Sequence, residues 1–411
     1  MSASQPAALS RPATPPAGRA LLALLAQLRQ GCLKLITPDG ETLWFGAASR
    51  LPDAELTLHD WRACRRILSG NDIGFAEAYR DGWLDSPDLT ALLRLALQNE
   101  EALQLGKLGR WATNLWHRLR HLLRLNSRRG SRRNIHAHYD IGNDFYKLWL
   151  DPGWTYSSAW FDGDDSLPLV DAQARKYQRI CDQLRLRPGM RVLEIGCGWG
   201  GFAEHAARLG VEVHGITISD AQLDFARHRL ADEPRVRLEH RDYRDLTGQY
   251  DAIVSIEMFE AVGERYWQGY FDTLRRCLKP DGQALVQSIT IDETRFEAYR
   301  ARADFIQTFI FPGGMLPSRE RFQRAAQQRG LTCRNRLDFG EDYAETLRRW
   351  RSAFETSLDA VRSQGFDETF IRLWRLYLCY CEAGFDARRI GVSQFLLHRQ
   401  SSCAPPPRSP R

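Results

Sequence analysis

The sequence predicts an α/β protein: a doubly wound, mostly parallel sheet preceded by a small N-terminal α+β domain. Three observations predict it. From residue 187 onward, short strand-like runs alternate with helical stretches, as in "MRVLEIG", "GFAEHAARLG" and "VEVHGITI". The stretch "VLEIGCGWGG", residues 192–201, sets four glycines between the first of these strands and its helix. The 411 residues are 43% apolar and 26% charged, an ordinary globular composition with enough apolar residues for a sizeable core.

Residues 1–19 read as a Pro-rich disordered leader. The run "LLALLAQL" that follows is far short of the about 20 residues needed to span a membrane, and no signal cleavage site accompanies it. Residues 20–105 read as the α+β domain. "CLKLITPDGETLWFG" is a hairpin turning at "PDG", and "DWRACRRILSG" and "DLTALLRLALQNEEAL" carry helical periodicity. Residues 106–133 hold nine Lys or Arg and no acid. There Trp111, Leu115, Leu119 and Leu122 form one apolar stripe opposite a basic face. That pattern suits an anionic membrane surface; the plainer reading is a solvated inter-domain helix. No reader motif accompanies the charge, so nucleic acid is not an expected partner. Residues 134–400 carry the strand–helix alternation, ending in "GVSQFLLHR". Residues 292–375 interrupt it with long, aromatic-rich helical segments, and 401–411 form a disordered tail.

The net charge of +6 is mild. The nine cysteines are odd in number and show no regular spacing, which fits a reducing cytosol better than a disulfide framework. His136 and His138 have no further ligand set around them, so no metal site is expected.

The glycine loop fits a dinucleotide pattern through Gly196, Gly198 and Gly201. A dinucleotide site also wants an acid at the end of the second strand, and this strand ends "HGITIS". The acid lies earlier, at Glu194, where it can meet a ligand's amino group. The pattern E-x-G-x-G-x-G resembles the class I S-adenosylmethionine (SAM) methyltransferase fold, Rossmann-like and doubly wound. "HAHYDIGNDFYKLWLD", "YSSAWF", "GITISDAQ", "MFEAVG", "FIQTFIFPGGMLPS" and "YLCYCEAGF" occur in order around it. Together they resemble the cyclopropane-fatty-acyl-phospholipid synthases, and "ILSGNDIGFAEAYRDGWLDSPDL" resembles the accessory domain of their full-length members.

That resemblance implies transfer of a one-carbon unit from SAM to the cis double bond of an unsaturated phospholipid acyl chain, closing a cyclopropane ring. It carries SAM contacts onto Tyr156, Ser157, Glu194, Gly196, Cys197, Gly198, Gly200, Thr217, Gln222, Asp242 and Tyr243. It implies helical insertions that line an acyl site, with Phe305, Ile306, Phe309, Ile310, Phe311, Trp374, Tyr377 and Tyr380 as its apolar wall. It implies a bicarbonate base cradled by Ser158, Glu260, Gln287 and Tyr343. The family usually has Cys in place of Ser158 and His in place of Gln287. Those two exchanges either leave the reaction as it is or redirect the leaving proton, giving a methyl-branched or methylene chain. Cys381 matches the family's site cysteine and is expected to line the pocket rather than attack.

Membrane phospholipid, an anionic bilayer surface and a second copy of the chain are the partners implied. The expected location is cytoplasmic, on the inner face of the membrane. N-methylation of a small amine is the alternative within the same fold, and a lipid-binding protein without activity the alternative outside it.

Overall fold

The computed structural model describes residues 14–47, 51–103 and 141–400. The basic stretch 106–133, His136, His138 and the tail 401–411 lie outside the described residues, as does most of the expected leader. The chain forms two compact units. One gathers Met1–Gln173, Thr294–Met315 and Phe339–Gly391; the other gathers Ala174–Glu293, Leu316–Asp338 and Val392–Arg411.

The first unit begins with helix α1 (Pro16–Leu25), which starts inside the segment expected as leader. Strands β1 (Cys32–Ile36) and β2 (Thr42–Gly46) form the expected hairpin. The Glu41 amide donates to the Thr37 hydroxyl and the Gly40 amide to the Thr37 carbonyl, closing the turn. Strands β3 (Ala54–Leu58) and β4 (Leu84–Asp85) complete a mixed sheet in the order β2-β1-β3-β4. Helices α2 (Arg62–Arg80) and α3 (Leu89–Gln98) follow, the latter capped by the Asp88 carboxylate on the Ala91 amide at 2.9 Å. A late helix, Glu368–Asp386, belongs to the same unit. Its Arg372 donates to the Leu84 carbonyl and to Asp85, both at 2.8 Å. Its buried Glu382 accepts from Arg351 at 2.7 Å and from the Thr90 hydroxyl at 3.3 Å.

The second unit holds strands β5 (Arg191–Ile195), β6 (Glu212–Thr217), β7 (Val236–His240), β8 (Tyr250–Ile256), β9 (Leu278–Ile291), β10 (Leu331–Asp338) and β11 (Ile390–Arg399). Their order is β10-β11-β9-β8-β5-β6-β7, and β5 pairs in parallel with both β6 and β8. This is the doubly wound sheet the alternation predicts. The strand order reverses at β5, so the crevice beyond its carboxyl end is where such sheets bind ligands. Val192, Phe202, Val213, Val254 and Leu285 pack into the core beneath. Burying each large apolar side chain contributes about 1.5–3 kcal/mol.

One strand departs from expectation. Residues 331–338 were expected within a helical stretch, yet they form β10, antiparallel to β11 at the sheet edge. Only Leu331 of its eight residues is buried. An edge strand with both faces largely wet carries no alternation of apolar and polar residues to read.

Candidate active site

The second unit presents the glycine loop. Strand β5 is buried from Val192 onward and delivers Glu194 to its carboxyl end. The Gly196 and Cys197 amides both donate to the Ile216 carbonyl, at 2.9 and 3.0 Å, bracing the loop on β6. Gly196, Gly198 and Gly200 have φ of 84°, 51° and 85°. At Gly196 a Cβ would also approach Met258 to 3.0 Å. Glycine is therefore required there twice over, by backbone and by space. Gly200 then opens the helix Gly201–Arg208, whose amino end favours negative charge in a ligand.

Glu194 is 3% exposed, and burial raises its carboxyl well above the usual range. Its Oε2 is buried with no hydrogen-bond partner among the described residues. A buried acceptor left open in this way is costly unless a ligand fills it. An ammonium group would supply the missing donor and return the carboxyl to its charged form. The loop thus fits the amino-acid end of SAM.

Thr217, Ser219 and Gln222 form one local network. The Ser219 amide donates to the Thr217 hydroxyl at 3.1 Å, and Ser219 caps the helix Asp220–Arg229 through the Gln222 amide. Asp242 is not a solvated loop carboxylate. Arg244 holds it through Nε at 2.8 Å and through its backbone amide at 3.0 Å. Tyr243 packs edge-on against Tyr270, with ring centroids 5.6 Å apart, and burial lifts its phenol to about 12.

The same unit carries Glu260 and Gln287. Glu260 Oε1 accepts the Ile289 amide, while Oε2 is buried with no partner among the described residues. Burial, and then the neighbouring Glu257, push its carboxyl to about 8. The shift favours the protonated form, which can donate to an anion. Gln287 sits mid-chain in a relay. Arg179 donates to Gln394, Gln394 donates to Gln287 at 3.0 Å, and Gln287 donates to Glu257 at 2.7 Å. The second Gln287 N–H has no partner among the described residues. A protonated Glu260 and that N–H both suit bicarbonate. No motif marks Glu257, and a second Glu three residues before Glu260 is its one signal in the sequence. It holds a φ of 50°, unusual for a residue other than glycine.

The first unit carries Tyr156, Ser157, Ser158, Tyr343 and Cys381. The Tyr156 and Tyr377 hydroxyls are 2.8 Å apart, and the Tyr156 ring packs among Tyr146, Trp149 and Trp350. The Ser157 carbonyl accepts the Gln173 amide at 2.9 Å. Ser158 is fully buried and donates to the Ala159 carbonyl at 2.9 Å, so its one proton is committed locally. Tyr343 packs on Phe385 with centroids 4.5 Å apart. Cys381 is half-buried, and desolvation and then Asp304 push its thiol up, which favours the thiol over the thiolate. Phe305 packs on Phe309 and Tyr380, and Phe311 on Tyr377, forming an aromatic wall. Trp374 packs against Tyr377 of this wall, with centroids 5.2 Å apart, and on its other sides against Phe145 and Phe370.

Known proteins resemble this chain over nearly its full length. The mycolic acid cyclopropane synthetase family matches residues 126–395. A tuberculostearic acid methyltransferase of Mycobacterium tuberculosis is 38% identical over 90% of this chain and 88% of its own. The cyclopropane-fatty-acyl-phospholipid synthase of Escherichia coli K12 is 35% identical over 82% of this chain and 85% of its own. Among solved structures, mycolic acid cyclopropane synthase CmaA1 complexed with SAH and CTAB superposes with a TM-score of 0.61 at 31% identity. It covers 65% of this chain and 98% of that one.

Proposed function

Because this chain belongs to the mycolic acid cyclopropane synthetase family and is a methyltransferase, we propose that it transfers a one-carbon unit from SAM to the cis double bond of unsaturated phospholipid acyl chains, forming cyclopropane fatty acids. The observation that carries the acyl-chain reading is similarity reaching through the N-terminal segment to two relatives named for fatty-acyl chemistry. The aromatic wall of Phe305, Phe309, Phe311, Tyr377 and Tyr380 supports it, since such rings suit both an alkyl chain and a passing positive charge.

Bound at the glycine loop, SAM supplies an electrophilic methyl carbon. Glu194 would accept from its ammonium group, and the loop at Gly196, Cys197, Gly198 and Gly200 would let backbone approach it closely. Tyr156, Ser157, Thr217, Gln222, Asp242 and Tyr243 complete the cofactor set in this reading. Ring closure then requires a proton to leave the new methyl group. Bicarbonate would supply the base, and Glu260, Gln287, Tyr343 and Ser158 would be the residues that hold it. A second reading, loss of a different proton to give a methylene branch, is favoured by one observation: Ser158 spends its proton on Ala159.

In the same proposal, residues 20–105 are an accessory domain and 134–400 the catalytic domain. Residues 106–133 bring the protein to the anionic inner face of the membrane, where it works as a homodimer. No helix among the described residues is long and apolar enough to cross a membrane.

The test is one reaction: purified protein, SAM, bicarbonate and vesicles of cis-unsaturated phospholipid, with acyl chains analysed by mass spectrometry and proton NMR. Upfield ring protons are expected. Vinyl protons on a chain one carbon longer would select the second reading, and unchanged acyl chains would overturn both.

A further inference from the structure

Two residues behind Gln287 take no part in the proposed reaction, yet they settle which way its amide points. Gln287 lies on β9 and Gln394 on the neighbouring β11, while Arg179 belongs to the helix Leu169–Gln183. These three and Glu257 all lie in the second unit. Both glutamines are buried, and Arg179 is half-buried.

The side-chain bonds between them run in one direction. Arg179 donates to Gln394 Oε1, Gln394 Nε2 donates to Gln287 Oε1 at 3.0 Å, and Gln287 Nε2 donates to Glu257 Oε1 at 2.7 Å. A guanidinium can only donate, and an ionised carboxylate can only accept. Two amides strung between such ends satisfy every contact in one orientation alone. Turning either amide over sets oxygen against oxygen or N–H against N–H. In a dry interior that mismatch leaves a polar group unpaired, which costs about 1–3 kcal/mol. The orientation of Gln287 is thus decided two bonds away, at Arg179.

Gln287 clasps Glu257 twice. The Glu257 amide donates to the Gln287 carbonyl at 2.8 Å, and the Glu257 carboxylate accepts the Gln287 side chain. The clasp has something to hold, since a φ of 50° is strained for a residue with a side chain and persists only where its surroundings fix it. The short turn Phe259–Ala261, which carries Glu260, follows directly. Glu260 then accepts the Ile289 amide, further along β9 from Gln287. Gln287 therefore fixes how the chain leaves β8 toward Glu260, while Gln394 and Arg179 fix Gln287.

We propose that Arg179 and Gln394 are positioning residues that lock the polarity of the Gln287 amide, turning its nitrogen toward Glu257 and its oxygen away, and so hold the turn that presents Glu260. The consequence for catalysis rests on the acyl-chain reading above. Reversal of the lock would aim the Gln287 oxygen at the Glu257 carboxylate and release the clasp.

The test uses the full-length enzyme, wild type against Q394E, Q394M, R179M and R179K. Q394E keeps the side chain's shape and its acceptor for Arg179, but it faces Gln287 with an oxygen that cannot donate. A mere structural support would tolerate Q394E better than Q394M, and a polarity lock would not. The kcat for acyl-chain methylation is expected to fall about tenfold in Q394E, at least as far as in Q394M, while the Michaelis constant for SAM holds. R179M should lower kcat in the same way, and R179K, which keeps a donor-only group at that end, should restore it. Should Q394E fail to fold, R179M against R179K carries the comparison. Proton–nitrogen NMR of protein labelled at its glutamine side chains needs no turnover. The Gln287 amide signals, identified by their absence in Q287M, should shift in Q394E and R179M and stay near their wild-type place in R179K. Gln287 signals unmoved in both Q394E and R179M, or a Q394E kcat equal to wild type, overturn the proposal. Signals that move as expected in an enzyme that leaves acyl chains unaltered would fault the acyl-chain reading alone.

Discussion

The Gln287 amide donates to the Glu257 carboxylate at 2.7 Å, and Glu257 in turn helps to raise the carboxyl of Glu260. Gln287 therefore acts on Glu260 through an intermediary. E257Q removes the like charge, so the Glu260 titration should move acidward from about 8. The pH profile of kcat/KM reads this. A profile identical to wild type would show that Glu257 has no hold on Glu260.

Desolvated carboxyls also set a direction for stability. Glu260 is raised to about 8, Asp304 to about 7 and Asp342 to about 6, each mainly by burial. In each case the folded state binds the proton more tightly than the unfolded chain. The stability these groups contribute is fully present below their unfolded values and is lost as pH rises through the folded ones. Thermal unfolding should therefore show Tm falling from about pH 5 to about pH 8, and E260Q should flatten the slope. Equal slopes in the two proteins would contradict the raised Glu260.

Gly196→Ala tests the loop. The positive φ of 84° and the 3.0 Å approach to Met258 both oppose a Cβ. The backbone conflict alone costs about 1 kcal/mol, and the loop must shift to relieve the contact. SAM affinity by calorimetry should drop about tenfold or more, with a smaller change in Tm. Undiminished affinity would mean the loop does not hold the cofactor.

Glu194→Gln tests the open acceptor. Gln keeps the shape but removes the charge that a ligand ammonium would stabilise. A hydrogen bond to a charged group is worth about 1.5–3 kcal/mol, so SAM binding should weaken on that scale. Binding of a SAM analogue lacking the amino group should be weak in both proteins and equally so. If the variant loses as much for that analogue as for SAM, Glu194 acts on something else.

Cys381 should stay unmodified by iodoacetamide at neutral pH in the native protein and react only on unfolding, because burial and Asp304 disfavour its thiolate. Peptide mapping by mass spectrometry decides it. Rapid native labelling would mean a reactive thiol.

Much of this was legible before any coordinates. Strand β5 reads as buried because "VLEI" is apolar except for Glu194, and a lone acid at a buried strand's end stands out. Ser219 and Asp88 announce their helices because capping is a local bond within three residues. Strand β10 could not be read, since its pairing with β11 comes from backbone bonds that leave no apolar pattern. The Asp72 carboxylate accepts the Phe305 amide from 233 positions away, and nothing in either neighbourhood signals the other.

The sequence by itself determined the doubly wound sheet, the glycine loop with its acid, and the family, because periodicity, capping and turn chemistry act over a few residues. Only the tertiary structure decided which polar groups are dry and whom they face. It committed Ser158 to Ala159, Asp242 to Arg244 and Gln287 to Glu257, and left Glu194 and Glu260 each with one oxygen that has no partner among the described residues. The reason is that protonation and reactivity depend on desolvation and on neighbours brought together by folding, and neither quantity is local in the chain.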